Sequence, residues 1–367
     1  MSKIISFIKG ETVLCVALLL AAISCFFITP DAAYISYIDF GTLCLLFCLM
    51  AVMAGFQAAG VFSFCANSLL RHSSSVRSVV AVLVLLCFFF SAVITNDVAL
   101  ITFVPFAIAL LKAAKRTDLL PFTVILQTVA ANMGSCLTPL GNPQNIYLYS
   151  ISGLSFADIF LAMLPYAAVT FGLLLLCILF IKSAPLSPET DENHLPEKRR
   201  TLLYALLFIV SLLGVMKVIH FGICFIISLA VLLVFDRKII FKVDYSLLLT
   251  FVGFFIFVGN MGRLPFFREL IENLMEGKEI LFSALASQFI SNVPAALLLS
   301  GFTENYTALL IGVNIGGLGT LIASMASLIS YKFVAAELPD KKGKYFLLFS
   351  ALNFVLLAVM LALSCLL

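Results

Sequence analysis

Two polar triplets interrupt otherwise apolar sequence about two hundred residues apart, Thr95-Asn96-Asp97 and Ser291-Asn292-Val293. Each is followed by a second polar break, Asn132 through Thr138 to Gly141-Asn142-Pro143-Gln144-Asn145, and Asn314 through Thr320 to Ser324. Ending a helix inside a bilayer leaves carbonyl groups unpaired on one arm and amide groups unpaired on the next. The carbonyl end attracts a cation and the amide end an anion, each aided by a half-helix dipole of about half a charge. Hydroxyl and carboxamide side chains at such a break complete an oxygen shell for Na⁺ or donate hydrogen bonds to an oxyanion. The chemistry this spacing supports is joint binding of an ion and a small solute near the bilayer midplane.

The breaks also match each other. At a constant offset Asn132 pairs with Asn314, Gly134 with Gly316, Thr138 with Thr320 and Asn142 with Ser324. Gly134 and Gly141 in the first break, and Gly316, Gly317 and Gly319 in the second, are expected to supply unusual backbone angles, and Pro143 to stop a helix. Asn145 adds a further carboxamide. Single polar residues in membrane helices serve as interhelical glue, but glycine-rich breaks recurring in register ask for more than glue. Asp97 is the only carboxylate deep in an apolar run, so it must be paired, ion-bound or protonated. It reads as a proton carrier or cation ligand, or as a cap on the helix it begins. Val293 stands at the matching position, so any titrating site is one-sided.

These residues need a membrane scaffold, and the composition supplies one. The 367 residues are 63% hydrophobic and 11% charged, which excludes a soluble globular domain. Apolar runs longer than about 18 residues mark spanning helices of a polytopic, all-helical membrane protein. The ten cysteines form no Cys-x-x-Cys pair and the three histidines are scattered, so neither a metal centre nor a disulfide framework is expected. No nucleotide-binding loop, nucleophile–base pair or basic stretch suited to nucleic acid is present. No cofactor is implied, and an enzyme is not expected.

Threading resolves the odd segments. If residues 78–111 enter the bilayer and return as a hairpin, and residues 280–301 do the same from the other face, 18 of the 22 basic residues share one compartment. The positive-inside rule makes that compartment cytoplasmic. The N-terminus is then cytoplasmic and the C-terminus outside. The expected organisation is an N-terminal membrane helix and outer loop over 1–40, and a first repeat over 41–181 with its hairpin near 78–111 and broken helix near 119–149. A cytoplasmic linker over 182–200 and connecting helices over 201–244 follow. A second, inverted repeat covers 245–367, with its hairpin near 280–301, bent by Pro294, and its broken helix near 307–331. Residues 263–279 read as a surface helix on the outer face.

Thr95-Asn96-Asp97, Gly141-Asn142-Pro143-Gln144-Asn145, Ser291-Asn292-Val293-Pro294 and Gly316-Gly317-Leu318-Gly319-Thr320 resemble the paired signatures of the ion transporter superfamily. It takes in citrate transporters, divalent-anion/sodium symporters, bacterial anion permeases, arsenite permeases and a group of sodium/proton antiporters. The resemblance covers about residues 10–367. It implies inverted repeats, re-entrant hairpins, a homodimer with scaffold and transport parts, and elevator-like movement. In the dicarboxylate branch the tips resemble Ser-Asn-Thr and bind Na⁺ and a substrate carboxylate, which carries over to Thr95, Asn96, Ser291 and Asn292. Asp97 and Val293 replace the expected threonine, turning the chain toward the citrate-type, arsenite and cation/proton branches. The reading is a cytoplasmic-membrane secondary transporter for a small anion or oxyanion, coupled to Na⁺ or H⁺. Arsenite efflux and Na⁺/H⁺ antiport through Asp97 stay open, as does a non-transporting membrane scaffold.

Overall fold

The computed structural model describes residues 11–70, 73–185 and 195–367, and helices account for most of them, with no strand among the described residues. Lys3, Lys9, Arg71 and much of the expected linker lie outside that set. The first half comprises α1 (Thr12–Phe27), α2 (Phe40–Ala58), α3 (Val61–Leu70), α4 (Val76–Ile94), α5 (Asn96–Ala113), α6 (Leu120–Ser135), α7 (Pro143–Ser152) and α8 (Phe156–Leu179). Two connecting helices follow, α9 (Lys198–Val215) and α10 (Phe221–Phe235). The second half comprises α11 (Tyr245–Gly262), α12 (Pro265–Met275), α13 (Glu279–Ile290), α14 (Asn292–Leu299), α15 (Tyr306–Ile315), α16 (Met325–Glu337) and α17 (Lys342–Ser364).

Helix starts follow the sequence. Asp39 caps α2 through the Thr42 N–H at 3.0 Å, and Asp244 caps α11 through the Leu247 N–H at 2.9 Å. Ser75 with Ser78, and Ser155 with Asp158, form capping boxes that open α4 and α8. Six helices among the described residues are long and apolar enough to cross a membrane, α4 and α5 among them. Those two pack side by side as a hairpin turning at Thr95, and α13 with α14 form a shorter one turning at Ser291. Pro294 does not bend the second hairpin as its sequence suggested. It occupies the first turn of α14, where its missing N–H has no intrahelical partner to lose, and the reversal falls three residues earlier at Ser291.

Around the hairpins the remaining helices form a frame. α2 packs against α9 and α10, where Tyr204 sits so close to Gly55 that a Cβ there would lie 2.1 Å from its ring. Asp236 accepts from Arg200 at 2.6 Å and from the Tyr204 hydroxyl at 2.8 Å, tying α9 to the end of α10. α1 lies along α11, and Asn260 reaches across to Ser24 and Tyr34. The amphipathic α12 lies exposed on the surface, matching the reading of residues 263–279. α3 holds the corresponding place before the first hairpin, an element not expected from the sequence.

The centre of the fold is built by exchange between halves. The second arm of each hairpin packs on the distal segment of the other half's broken helix, α5 on α16 and α14 on α7. This brings both turns and both breaks into one buried region.

Candidate functional site

Each hairpin turns on one residue. Thr95 has φ 73° and ψ 148°, and Ser291 has φ 75° and ψ 154°. Positive φ at a non-glycine residue carries strain, so its recurrence at matched positions marks a specified reversal. Beyond each turn an asparagine stabilises the arm it opens. Asn96 Oδ1 accepts from the Asp97 N–H at 2.9 Å, and Asn292 Oδ1 from the Val293 N–H at 3.0 Å.

The breaks are tied to the turns in the same way twice. The Thr320 hydroxyl donates to the Gln288 carbonyl at 3.0 Å and accepts from the Ala323 N–H at 3.2 Å. Thr138 donates to the Ala92 carbonyl and accepts from the Gly141 N–H at 3.2 Å. Both threonines therefore fasten a broken helix to the last turn of a hairpin arm. In the second half the Asn292 N–H also donates to the Ala323 carbonyl at 2.9 Å.

Asn132 is the hub joining the two halves. Its Oδ1 accepts from Asn96 Nδ2 at 3.0 Å and from the Ser324 hydroxyl at 3.0 Å, while its Nδ2 donates to the Gly317 carbonyl at 3.3 Å. Gly317 in turn lies against the Asn292 carboxamide, 3.2 Å from where a Cβ would stand. The two asparagine-bearing tips thus meet through one side chain. Asn314, the counterpart of Asn132, turns elsewhere, donating to Asn145 Oδ1 at 2.8 Å and lying 3.5 Å from Gln144 Nε2. Asn145 donates to the Thr138 carbonyl at 3.0 Å, and Asn142 to the Ser135 hydroxyl at 2.6 Å. Asn96, Asn132, Asn142, Asn145, Asn292, Asn314, Ser291 and Ser324 are all at most 4% exposed. Thr95, Asp97, Thr138 and Thr320 remain partly accessible at the edge of this network.

The glycines serve a different purpose from the one expected. Of the five break glycines only Gly319 has a positive φ, 106°, and a Cβ there would also strike Gln288 Oε1 at 2.2 Å. Gly134 and Gly141 are required for close approach, since a Cβ would fall 2.0 Å from the carbonyl oxygens of Phe88 and Ser135 respectively. At Gly316 a Cβ would crowd the Gly312 carbonyl oxygen at 2.7 Å, the Ser287 hydroxyl at 2.8 Å and the Ala284 Cα at 2.9 Å.

Two glutamines belong to the site although the sequence reading assigned neither to it. Gln288 Nε2 donates to the Gly316 and Leu318 carbonyls at 2.8 and 2.9 Å, and its Oε1 accepts from the Thr320 N–H at 2.9 Å. Its place one turn before Asn292 was the available signal. Gln144 lies wholly buried with an unpartnered Oε1. Asp97 Oδ1 is likewise buried without a hydrogen bond, and no ion pair reaches it among the described residues. Asp244 lies within its electrostatic reach. A narrow cleft of about 30 Å³, lined by Glu11, Asp244, Ser246, Thr250, Ser291 and Met325, leads to the second tip.

Membrane-length helices, paired turns and a buried carboxamide network define a polytopic membrane protein, and no cluster of metal-ligating side chains occurs among the described residues. The chain belongs to the citrate transporter family, whose sequence profile matches residues 4–305. It is 30% identical over 331 residues to an uncharacterized transporter of Methanocaldococcus jannaschii, covering 89% of each chain. It is 33% identical over 326 residues to the inner membrane protein YbiR of Escherichia coli, covering 86% of each. A silicon efflux transporter of Oryza sativa is 32% identical over 186 residues, 48% of this chain and 38% of that one. The protein is therefore a multi-pass membrane transporter and not an enzyme.

Proposed function

We propose that the protein is a secondary active transporter that moves a small anion or carboxylate across the cytoplasmic membrane, coupled to Na⁺ or H⁺. One observation carries this reading: four helix N-termini and four helix C-termini meet at the same buried network. Helices α5, α7, α14 and α16 begin there, and α4, α6, α13 and α15 end there. Each helix end contributes about 0.3–2 kcal/mol toward a neighbouring charge. Four together approach the several kcal/mol lost when a small ion leaves water. No lysine or arginine is among the hydrogen-bonding partners of the network, so an anion would rest on N–H groups, hydroxyls and carboxamides. The C-terminal ends and Asp97 would receive the cation.

In this reading Thr95, Asn96, Asp97, Asn132, Thr138, Asn142, Asn145, Ser291, Asn292, Asn314, Thr320 and Ser324 form the site. Residues 41–181 and 245–367 act as inverted repeats, entering from the cytoplasm and the outside respectively. The matched turns at Thr95 and Ser291 and the matched threonine bonds support that assignment. The basic residues on α5, α9 and α16 favour, by the positive-inside rule, an N-terminus in the cytoplasm and a C-terminus outside. The frame helices would serve as scaffold in a homodimer while the hairpins move. The family's name favours a carboxylate such as citrate.

A second reading, oxyanion efflux or Na⁺/H⁺ exchange with Asp97 as the titrating group, draws on the lone carboxylate at the first tip. The resemblance to a silicon efflux transporter points the same way. Flux into proteoliposomes separates them: citrate, sulfate, arsenite and ²²Na⁺ are offered separately under imposed Na⁺ or proton gradients. Gradient-driven citrate accumulation supports the first reading. Proton-driven arsenite or Na⁺ movement with no citrate flux supports the second, and no flux of any probe sinks both.

A further inference from the structure

Helix α16 and its N-cap Ser324 carry a line of hydroxyls, of which only Ser324 belongs to the binding network. Ser324, Ser327 and Ser330 recur once per turn from the Asn132 hub, each at most 1% exposed. Ser324 donates to Asn132 Oδ1 at 3.0 Å. The hydroxyls of Ser330 and Thr128 on α6 lie 2.6 Å apart. Tyr345 on α17 brings its hydroxyl beside Thr128, 1% exposed. Ser327 Oγ and Tyr345 OH are both buried without a hydrogen-bond partner. Past them, the last residue of α16, Glu337, pairs with Lys112 at the end of α5, where both side chains reach the surface. From Ser324 to Ser330 the line runs about 9 Å at 1.5 Å per residue, and Glu337 stands at the far end of the 13-residue helix.

Helix–helix glue accounts for the bonded pair but not for the orphans. A buried hydroxyl left unpaired costs free energy, and alanine or phenylalanine would pack at Ser327 or Tyr345 without that cost. Each hydroxyl is both donor and acceptor, so a row of them passes a proton by reversing its bonds, with single waters bridging the gaps. The elements packed on α16 bring few other titratable groups. α5 carries Asp97 and Lys112, α6 carries none, the turn Pro339–Lys341 carries Asp340 and Lys341, and α17 carries Lys342, Lys344 and Tyr345.

We propose that Ser324, Ser327, Ser330, Thr128 and Tyr345 form a proton path from the central network to the Lys112–Glu337 pair. The path rests on the transport reading above and specifies the proton as coupling ion. A proton that reaches the central site with the cargo from the outer side, held on the Asp97 carboxylate, is released through Ser324 and the following hydroxyls to the Glu337 carboxylate and the cytoplasm, so that each cycle moves one proton inward and leaves Asp97 ionised for the next.

The test uses proteoliposomes holding the full chain, with radiolabelled citrate as probe and a pH-sensitive dye inside. Two rates are compared: accumulation driven by a proton gradient without Na⁺, and citrate–citrate exchange with no gradient. In the double variant Ser327→Ala/Ser330→Ala, and separately in Tyr345→Phe, gradient-driven accumulation and dye response should fall about tenfold while exchange stays within about twofold. Equal loss of both rates, or loss of neither, overturns the path. Restored accumulation in Ser327→Thr, which returns the hydroxyl, supports it. If the wild type exchanges citrate yet ignores the proton gradient, the path fails and the transport reading stands. If the wild type exchanges nothing, the carboxylate reading fails and takes the path with it.

Discussion

The two hairpin tips share a backbone and differ in chemistry. Thr95 and Ser291 turn the chain at nearly the same φ and ψ, and Asn96 and Asn292 each close on the following N–H. Beyond that point they part: Asp97 brings a carboxylate to the first tip, where Val293 brings an isopropyl group to the second. The first tip alone bonds to the hub, through Asn96 and Asn132, while the second reaches it through the Gly317 backbone. The arms differ as well, 19 and 18 residues against 12 and 8. The reversal is thus a mechanical device used twice, and charge is added on one side only. A carrier whose site is half duplicated and half unique can bind one ligand with the shared backbone ends and couple it to another through the unique carboxylate.

Removing the unique half should produce the largest effect. Asp97→Asn keeps shape and hydrogen-bonding capacity but discards the charge, and should lower gradient-driven uptake by about 3 kcal/mol, roughly a hundredfold, without loss of fold. Uptake at the wild-type rate with unchanged pH dependence would remove Asp97 from the mechanism. Val293→Asp is not expected to rescue it, because the second tip lacks the direct bond to the hub. Next comes the close packing behind each tip. Gly134→Ala drives a methyl to 2.0 Å from the Phe88 backbone carbonyl oxygen and should destabilise by about 2–3 kcal/mol, whereas Gly316→Ala meets looser contacts, 2.7 Å from the Gly312 carbonyl and 2.9 Å from the Ala284 Cα, and should cost less, about 1–2. Thermal unfolding in detergent reads the difference, and equal shifts would contradict the tighter packing of the first half. Asn292→Ala should weaken cation binding by about 1–1.5 kcal/mol, around tenfold. An unaltered Na⁺ or proton dependence would exclude the second tip from the cation site.

How much of this was legible beforehand follows the range of the interactions. Turn positions, hairpins and the matched threonines were readable, because polar residues inside apolar runs are local and costly wherever they fall. The partners of those residues were not. Asn132 and Asn314 sit at matched positions, yet one joins the two tips while the other reaches across to Asn145 in the first half's broken helix. That choice is made by packing between α5 and α16 and between α7 and α14, which no spacing rule encodes. Gln288 escaped the sequence reading of the site because its three backbone partners in the second break arrive from residues 28–32 positions away. The glycines were located correctly for a partly wrong reason. Sequence marks where a side chain is excluded, but whether φ or a neighbouring carbonyl excludes it depends on the contact.

The smallest effect tests the shared half. Non-glycine residues at φ near 74° with extended ψ carry strain of about 1–3 kcal/mol, and glycine relieves it while adding about 0.5–1 of unfolded-state entropy. Thr95 makes no side-chain cap bond, and the Ser291 hydroxyl makes only long contacts, 3.4 Å to Asn292 Oδ1 and 3.5 Å to the Ala323 carbonyl. Thr95→Gly and Ser291→Gly should therefore each stabilise the protein slightly, by about 0.5–1 kcal/mol, and by similar amounts. If the hydroxyls serve only the turn, transport follows stability and is unchanged in both. If they ligate the cargo or its cation, transport falls while stability rises, and the two variants need not fall equally. A stability change of opposite sign at the two positions would show that the turns are not mechanically equivalent. The one-sided role of Asp97 would then be an accident of two unlike hairpins, and not a charge placed on one copy of a common part.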